Sequence, residues 1–161
     1  MRNKQENSCN NFKILLVGAG NLGSRYLQGL MEVKYSCSIY VIDYSSKALN
    51  LSKKRCNENK NKKHLINYQS YLPENINKFD LVIVATTSNG RASLIKKIYF
   101  KYLISYWIIE KIIAQSAREL NDIFELIGNS NNAWVNTPRR TMPWYKEIKR
   151  TILKEKKDAI Q

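Results

Sequence analysis

The sequence has few of the residues from which most protein metal centres are built. Its 161 residues include one histidine and three cysteines. Cys9, Cys37 and Cys56 do not have the spacing of metal ligands, and His64 is the only imidazole. We therefore expect no metal site, and free thiols in a reducing compartment.

Long apolar runs are also missing from the sequence. No stretch approaches the roughly 20 apolar residues of a membrane-spanning helix, so we expect no membrane segment. Residues 1–11 are polar and lack the apolar core of a secretory signal. The sequence therefore predicts a polar N-terminal extension over residues 1–11 and a cytoplasmic location.

Acidic residues are scarce, with 13 against 27 lysines and arginines and a net charge of +14. Such a charge can attract nucleic acid or an anionic surface. The lysines are spread along the whole chain, however, and no aromatic RNA-binding motif or recognition-helix pattern accompanies them. Nucleic-acid binding is therefore disfavoured, and an anionic dinucleotide is a further partner that suits the charge.

Short apolar segments alternate with longer amphipathic ones along the chain. The strands are predicted at residues 12–17, 38–42, 64–68, 80–85, 107–110 and 134–136. The helices are predicted at residues 22–33, 46–57, 90–102, 116–127 and 143–156. This alternation predicts an α/β fold with a doubly wound parallel sheet, the Rossmann architecture, in the strand order 3-2-1-4-5-6. We assign residues 12–140 to that domain and residues 141–161 to a C-terminal helix.

A glycine motif joins the first strand to the first helix. Gly18, Gly20 and Gly23 fit the pattern G-x-G-x-x-G in the strand-to-helix context that a dinucleotide site requires. Gly18 would permit the turn, Gly20 would let a pyrophosphate approach the backbone, and Gly23 would let the helix pack closely. The phosphates would lie at the start of the helix, at Asn21 and Leu22. The alternative is a glycine-rich turn that binds no ligand.

An acidic residue follows the second strand at the interval that this motif predicts. Asp43 lies 20 residues after Gly23, where a carboxylate accepts hydrogen bonds from the adenosine ribose. It would repel a 2′-phosphate and so favours NAD over NADP, although Lys47 weakens that discrimination. In the alternative interpretation Asp43 only caps the following helix, near Ser45 and Ser46.

Hydroxyl side chains follow the fourth strand at Thr86 and Thr87. The carboxyl edge of a doubly wound sheet is where ligands bind, so these hydroxyls are candidates for the cofactor's ribose or phosphates. A polar loop that caps the next helix is an equally good interpretation.

Charged residues follow the fifth and sixth strands. Lys111 could face a nicotinamide ring and take part in proton transfer, but on spacing alone a surface lysine paired with a glutamate is the better interpretation. Arg139 and Arg140 could bind a carboxylate or phosphate of a substrate. The alternative for both arginines is a solvated loop or pairing with acidic residues of a partner domain.

Four segments together resemble the N-terminal NAD(P)-binding domain of the Gfo/Idh/MocA oxidoreductase family. They are residues 13–25, 80–86, 109–111 and 136–140, the last followed by Pro143, and the resemblance spans nearly all of residues 12–150. It is greatest to members associated with bacterial surface-sugar synthesis. In that family the lysine of a Glu-Lys-Pro motif helps catalysis near the nicotinamide. The resemblance therefore implies a catalytic Lys111 and a Glu110 beside the cofactor. Ile112 replaces the proline, and Tyr26 replaces a common histidine.

The family also has a second α/β domain that binds the sugar and often supplies an acid/base residue. The sequence ends at Gln161, where that domain would begin. We therefore expect a form that keeps only the cofactor domain, whether a natural truncation, a disrupted gene product or an excised domain. The resemblance implies NAD or NADP, a sugar or sugar-nucleotide substrate if a second domain is supplied, and compatibility with a homo-oligomer. Two hypotheses follow: the cofactor half of an oxidoreductase, or a non-catalytic nucleotide-binding or interaction module.

Overall fold

The computed structural model describes residues 11–59, 63–128 and 132–158. The strands are β1 (Phe12–Val17), β2 (Cys37–Ile42), β3 (Leu65–Gln69), β4 (Lys78–Val84), β5 (Leu103–Ile109) and β6 (Ala133–Val135). The helices are α1 (Asn21–Met31), α2 (Ser46–Asn57), α3 (Arg91–Lys101), α4 (Ala117–Ile127) and α5 (Pro143–Asp158), and a 3-10 helix spans Pro138–Thr141. Strands and helices thus alternate as the apolar pattern predicts.

The six strands form one sheet in the order β3-β2-β1-β4-β5-β6, and every pairing is parallel. The predicted doubly wound Rossmann topology is therefore confirmed. β1 lies at the centre, with Ile14 opposite both Ile39 of β2 and Leu81 of β4. Because all strands run the same way, the loops that follow them meet at one edge, the carboxyl edge of the sheet.

Side chains alternate between the two faces of the central strands and form two apolar layers. Leu15 and Val17 lie in a layer with residues of α3 and α4, whereas Ile14 and Leu16 lie in a layer with residues of α1 and α2. All four side chains are buried. Burial on both faces explains why the central strands have continuous apolar sequences.

Two helices begin at a serine whose hydroxyl caps the first turn. The hydroxyl of Ser45 accepts a hydrogen bond from the Ala48 N–H at 3.3 Å, so Ser45 rather than Ser46 caps α2. The hydroxyl of Ser116 accepts from the Glu119 N–H at 3.2 Å, while the Glu119 carboxylate accepts from the Gln115 N–H at 2.8 Å. The Ser116 hydroxyl and the Glu119 carboxylate thus bond two main-chain N–H groups at the start of α4.

Strand β5 begins four residues earlier than the predicted 107–110, because helix α3 passes into it almost without a loop. The N–H of Tyr102 still bonds to Ile98 of the helix, and the N–H of Leu103 already bonds to Asn77 beside β4. The first half of β5 is partly exposed at Leu103 and Tyr106. The remaining predicted boundaries agree with the structure to within two residues.

Residues 1–10, including Cys9, lie outside the described residues, so the predicted N-terminal extension is not described apart from Asn11. Within the described ranges no cluster of histidine, cysteine and acidic residues could hold a metal ion. His64 is buried, with Nε2 3.3 Å from the Met31 carbonyl oxygen. Among the helices of those ranges, none is long and apolar enough to cross a membrane.

Candidate functional site

The loop between β1 and α1 requires glycine at two positions for steric reasons. Gly18 has a φ of +96°, and a Cβ there would lie 2.8 Å from the Ala85 carbonyl. A Cβ on Gly23 would lie 1.7 Å from the carbonyl oxygen of Gly18. The first turn of α1 therefore packs directly against the loop, as the motif predicts for Gly18 and Gly23.

Gly20 differs from the other two glycines because nothing lies within 4 Å of the position its Cβ would take. It is the N-cap of α1, and no side chain caps the helix there. The first N–H groups of a helix have no intrahelical partner and carry partial positive charge. The open space at Gly20 thus adjoins donors that suit an anion, with Asn21 and Leu22 exposed beside it.

Asp43 connects the end of β2 to the glycine loop. Its Oδ2 accepts a hydrogen bond from the Ala19 N–H at 2.7 Å, and its Oδ1 accepts from the Ser45 N–H at 2.8 Å. The side chain is half-buried. A carboxylate offers about four acceptor positions, so each oxygen can still accept a further hydrogen bond.

A pocket of about 150 Å³ opens beside Asp43 at the carboxyl edge. Its lining comes from the ends of β1 to β4 and from α3: Val17, Gly18, Ile42, Asp43, Tyr44, Ser70, Tyr71, Leu72, Thr86, Leu94 and Lys97. The buried hydroxyl of Thr86 has no hydrogen-bond partner among the described residues. Thr87, one residue on, is exposed. The pocket therefore combines apolar side chains with one carboxylate, several hydroxyls and one lysine.

Arg91, the first residue of α3, is 2% exposed, although its side chain is charged. Its guanidinium donates to the main-chain carbonyl oxygens of Thr86, Glu110 and Ile112. Burial lowers the pKa of the Arg91 guanidinium, and the charge of Glu110 acts in the opposite direction. One side chain thus joins the loops that follow β4 and β5.

Glu110 is also buried, at the end of β5. Its Oε1 accepts hydrogen bonds from the Tyr26 hydroxyl and from the Asn136 side-chain amide. Burial raises the pKa of the Tyr26 phenol, and the hydrogen bond to Glu110 raises it further. Glu110 therefore links α1 to the segment after β6.

The remaining charged candidates are exposed. Lys111 follows Glu110 at the carboxyl edge, and its peptide bond to Ile112 is cis. Arg139 and Arg140 lie in the 3-10 helix just after β6. The topology thus brings Lys111 and both arginines to the edge that also carries the glycine loop.

Sequence reasoning did not single out Arg91, and it named Tyr26 only as a replacement for a histidine. The signal for Arg91 was weak, because a single arginine at the start of a helix usually lies in solvent. It immediately follows Gly90, the N-cap of α3, which has a φ of +69°.

Residues 8–101 match a family model described as NAD(P)-binding. The chain belongs to this family. More than half of the sequence is matched, including the glycine loop, Asp43 and Arg91. The domain is therefore an NAD(P)-binding domain, and no curated protein matches its sequence.

Solved structures show the same fold at low sequence identity. Scyllo-inositol dehydrogenase from Lactobacillus casei, solved with NAD(H) and scyllo-inositol, matches with a TM-score of 0.68 and 16% identity over 91% of this chain and 42% of its own. The 3-ketoreductase KijD10 from Actinomadura kijaniata was solved with NADP and TDP-benzene. It matches with a TM-score of 0.69 and 11% identity, over 90% of this chain and 43% of its own. An oxidoreductase from Agrobacterium radiobacter was solved with NAD+, L-tartaric acid and magnesium. It matches with a TM-score of 0.61 and 20% identity, over 81% of this chain and 36% of its own.

These structures confirm the Rossmann fold expected from the resemblance to the Gfo/Idh/MocA N-terminal domain. The chain spans about two-fifths of the length of the scyllo-inositol dehydrogenase and of KijD10. The domain that it shares with them is the NAD(P)-binding one.

Proposed function

We propose that this chain is the cofactor-binding part of a cytoplasmic NAD(P)-dependent oxidoreductase that acts on a CH–OH group of a sugar or sugar nucleotide. The family match supports the cofactor, and the inositol dehydrogenase and the ketoreductase among its structural neighbours support the reaction class. The observation that carries the proposal is the open space at Gly20, beside donors at the start of α1 and next to Asp43.

The pyrophosphate would occupy the open space at Gly20. The N–H groups of Asn21, Leu22 and Gly23 belong to the first turn of α1, so they can donate to phosphate oxygens, and the helix dipole adds a favourable charge interaction. Gly18 and Gly23 would act indirectly, because their missing side chains let the loop and the helix take this shape.

The adenosine would lie in the pocket beside Asp43. The unused acceptor positions of the carboxylate suit the two ribose hydroxyls, while its charge would repel a 2′-phosphate. Lys97 in the pocket wall and exposed Lys47 reduce this repulsion. We therefore propose a preference for NAD without exclusion of NADP.

The nicotinamide end would lie over β4 and β5. The unpartnered hydroxyl of Thr86, which also lines the pocket beside Asp43, can donate to the cofactor where its two ends meet, and the exposed Thr87 adjoins it. When bound, the cofactor supplies the hydride acceptor or donor. Lys111 is exposed at this edge, so its ammonium can donate to a substrate hydroxyl or stabilise developing charge on oxygen. Glu110 would act through its bonds to Tyr26 and Asn136.

Arg139 and Arg140 are proposed to bind an anionic group of the substrate. Both guanidiniums are exposed at the carboxyl edge, where a phosphate or carboxylate can reach them. Arginine binds such groups through two parallel hydrogen bonds. The sugar itself would need further contacts from a second domain or subunit.

Titration with NADH, followed by its fluorescence, tests cofactor binding. Gly20→Ala would place a methyl group in the open space and should weaken NADH at least tenfold, with little change in the unfolding midpoint. Gly29→Ala is the matched control, because its Cβ position in α1 is equally open and lies away from the loop. No binding by the wild type at millimolar NADH, or equal binding by the two variants, would contradict the proposal.

A panel of sugars and sugar nucleotides, incubated with NAD+ and monitored for NADH, tests the reaction. Turnover that disappears in Lys111→Ala would support the oxidoreductase. Tight NADH binding without turnover on any substrate would favour the alternative of a non-catalytic nucleotide-binding module. Binding to nucleic acid, if present, should fall steeply with added salt.

A further inference from the structure

The guanidinium of Arg91 connects the two loops at the nicotinamide end of the proposed site. Its Nη2 group donates to the carbonyl of Thr86, in the loop after β4. Its Nη1 group donates to the carbonyls of Glu110 and Ile112, which flank Lys111. The single buried group therefore holds the backbone on both sides of Lys111 and the backbone of Thr86 at the same time.

Burial of an arginine is costly unless its charge is compensated and its N–H groups are bonded. Here three carbonyl oxygens accept hydrogen bonds from Nη1 and Nη2, while Nε has no partner among the described residues. The carboxylate of buried Glu110 supplies the compensating charge. Lysine could not replace this arrangement, since its ammonium is a compact point charge whereas the guanidinium is a planar fork of donors. The geometry is thus specific to arginine.

The location of these contacts divides the cofactor site in two. A doubly wound sheet binds one mononucleotide on each half, with the adenosine on the β1–β3 side and the nicotinamide beyond the switch point. Asp43 and the glycine loop belong to the first half, whereas all three acceptors of Arg91 follow β4 and β5.

We infer that Arg91 is a positioning residue that sets the shape of the nicotinamide end of the site by fixing Thr86 and Lys111 through their backbone. The inference rests on the proposed function, and it adds a residue for which neither the sequence motif nor the family match specifies a role. Arg91 itself lies 2% exposed beneath these loops, so it acts through them rather than by touching the cofactor.

The test compares two ligands on the full chain: NADH, which has a nicotinamide, and ADP-ribose, which shares only the adenosine, the pyrophosphate and one further ribose. Arg91→Lys should weaken NADH binding at least tenfold and ADP-ribose binding by a factor at least fivefold smaller, because only NADH has the ring that reaches the backbone around Lys111. Arg55→Lys is the contrasting variant. Arg55 donates to the Asn21 carbonyl at 2.9 Å and to the Ser24 hydroxyl at 2.6 Å, in the adenosine half. Any loss there should be equal for the two ligands.

Equal losses for NADH and ADP-ribose in Arg91→Lys would mean that Arg91 only stabilises the fold, and this would overturn the inference. Failure of the wild type to bind either ligand would instead contradict the proposed function. If Arg91→Lys does not fold, the wild type provides the second test through the Nε–H signal of buried Arg91 in nitrogen-15 NMR. NADH should shift that signal and ADP-ribose should leave it unchanged; an equal response to both would refute the inference.

Discussion

The carboxyl edges of the two halves of the sheet are formed by different kinds of residue. In the half formed by β1, β2 and β3, glycines bring the backbone close, and Asp43 accepts from two main-chain N–H groups. In the half formed by β4, β5 and β6, buried Arg91 donates to main-chain carbonyls, and buried Glu110 accepts from side chains. The first half is thus shaped by missing side chains, and the second by buried charged ones.

This difference determines what a substitution can do in each half. Gly18 and Gly23 tolerate no added Cβ, so substitutions there should fail for steric reasons and with large effects. A buried charged group tolerates no lost partner, so its failures should come from unpaired polar atoms and depend on chemistry. The four predictions that follow test this contrast.

The largest effect should come from Gly23→Ala in the first half. The added Cβ would lie 1.7 Å from the Gly18 carbonyl oxygen, so the helix must move away from the loop. We expect a loss of about 3 kcal/mol or more in the free energy of unfolding, measured by urea denaturation, together with loss of NADH binding. Gly29→Ala in the same helix should gain up to about 1 kcal/mol. Equal stabilities of the two variants would disprove the steric account.

Tyr26→Phe should have the next largest effect, because it removes a hydrogen bond that joins the two halves. Among the described residues, the buried carboxylate of Glu110 would keep one side-chain donor, the Asn136 amide. We expect a loss of roughly 2 to 3 kcal/mol in the free energy of unfolding, the value for hydrogen bonds to charged groups. In a double-mutant cycle with Glu110→Gln the losses should be non-additive; simple addition would show that the two residues do not interact.

Tyr102 should make stability depend on pH in the alkaline range. Its buried hydroxyl donates to the Pro73 carbonyl at 2.7 Å, and burial raises its pKa from 10.0 to about 12. The folded state holds this proton more tightly, so the stabilisation is complete below pH 10 and is lost as the pH rises to about 12. That loss amounts to roughly 2 kcal/mol.

Urea unfolding of Tyr102→Phe measures this contribution directly. The destabilisation relative to the wild type should shrink as the pH rises from 10 towards 12, because the wild type loses the bond that the variant never had. Tyr35→Phe, at a residue 69% exposed, should follow the wild type throughout. A constant difference between Tyr102→Phe and the wild type would contradict the assigned pKa.

The smallest effect should be a change in the preference for NADH over NADPH when Asp43 is replaced. Asp43→Asn removes the charge that would repel a 2′-phosphate, so the ratio of NADPH to NADH affinity should rise about tenfold, equivalent to about 1.4 kcal/mol. The control is Asp80→Asn, whose carboxylate accepts from the Lys13 N–H at 2.9 Å beside the amino end of β1. An unchanged ratio of NADPH to NADH affinity in Asp43→Asn would show that Asp43 does not select between the two cofactors.

The site residues of the first half could be predicted from the sequence, because each position requires one particular type of residue. Only glycine fits at Gly18 and Gly23, and Asp43 follows at a fixed interval, so local spacing is sufficient. The strand order followed in the same way from the alternation of apolar segments.

The second half could not be predicted to the same depth. Arg91 donates to main-chain carbonyl oxygens, which every residue possesses. Its three partners therefore cannot be recognised from their residue types. Glu110 was visible as part of a motif, but its bond to Tyr26 spans 84 positions and depends on the packing of α1 against the sheet. The early start of β5 was missed because the strand follows α3 almost without a loop.

The central position of β1 has a consequence for the order of folding. β1 pairs with β2 soon after both are synthesised, but its other partner is β4, with Leu16 opposite Ile83. Until β4 leaves the ribosome, the most apolar strand of the chain has one open edge, which can pair with another nascent chain. Synthesis speed between β2 and β4 should therefore influence the yield of folded protein, and a pause there should increase aggregation.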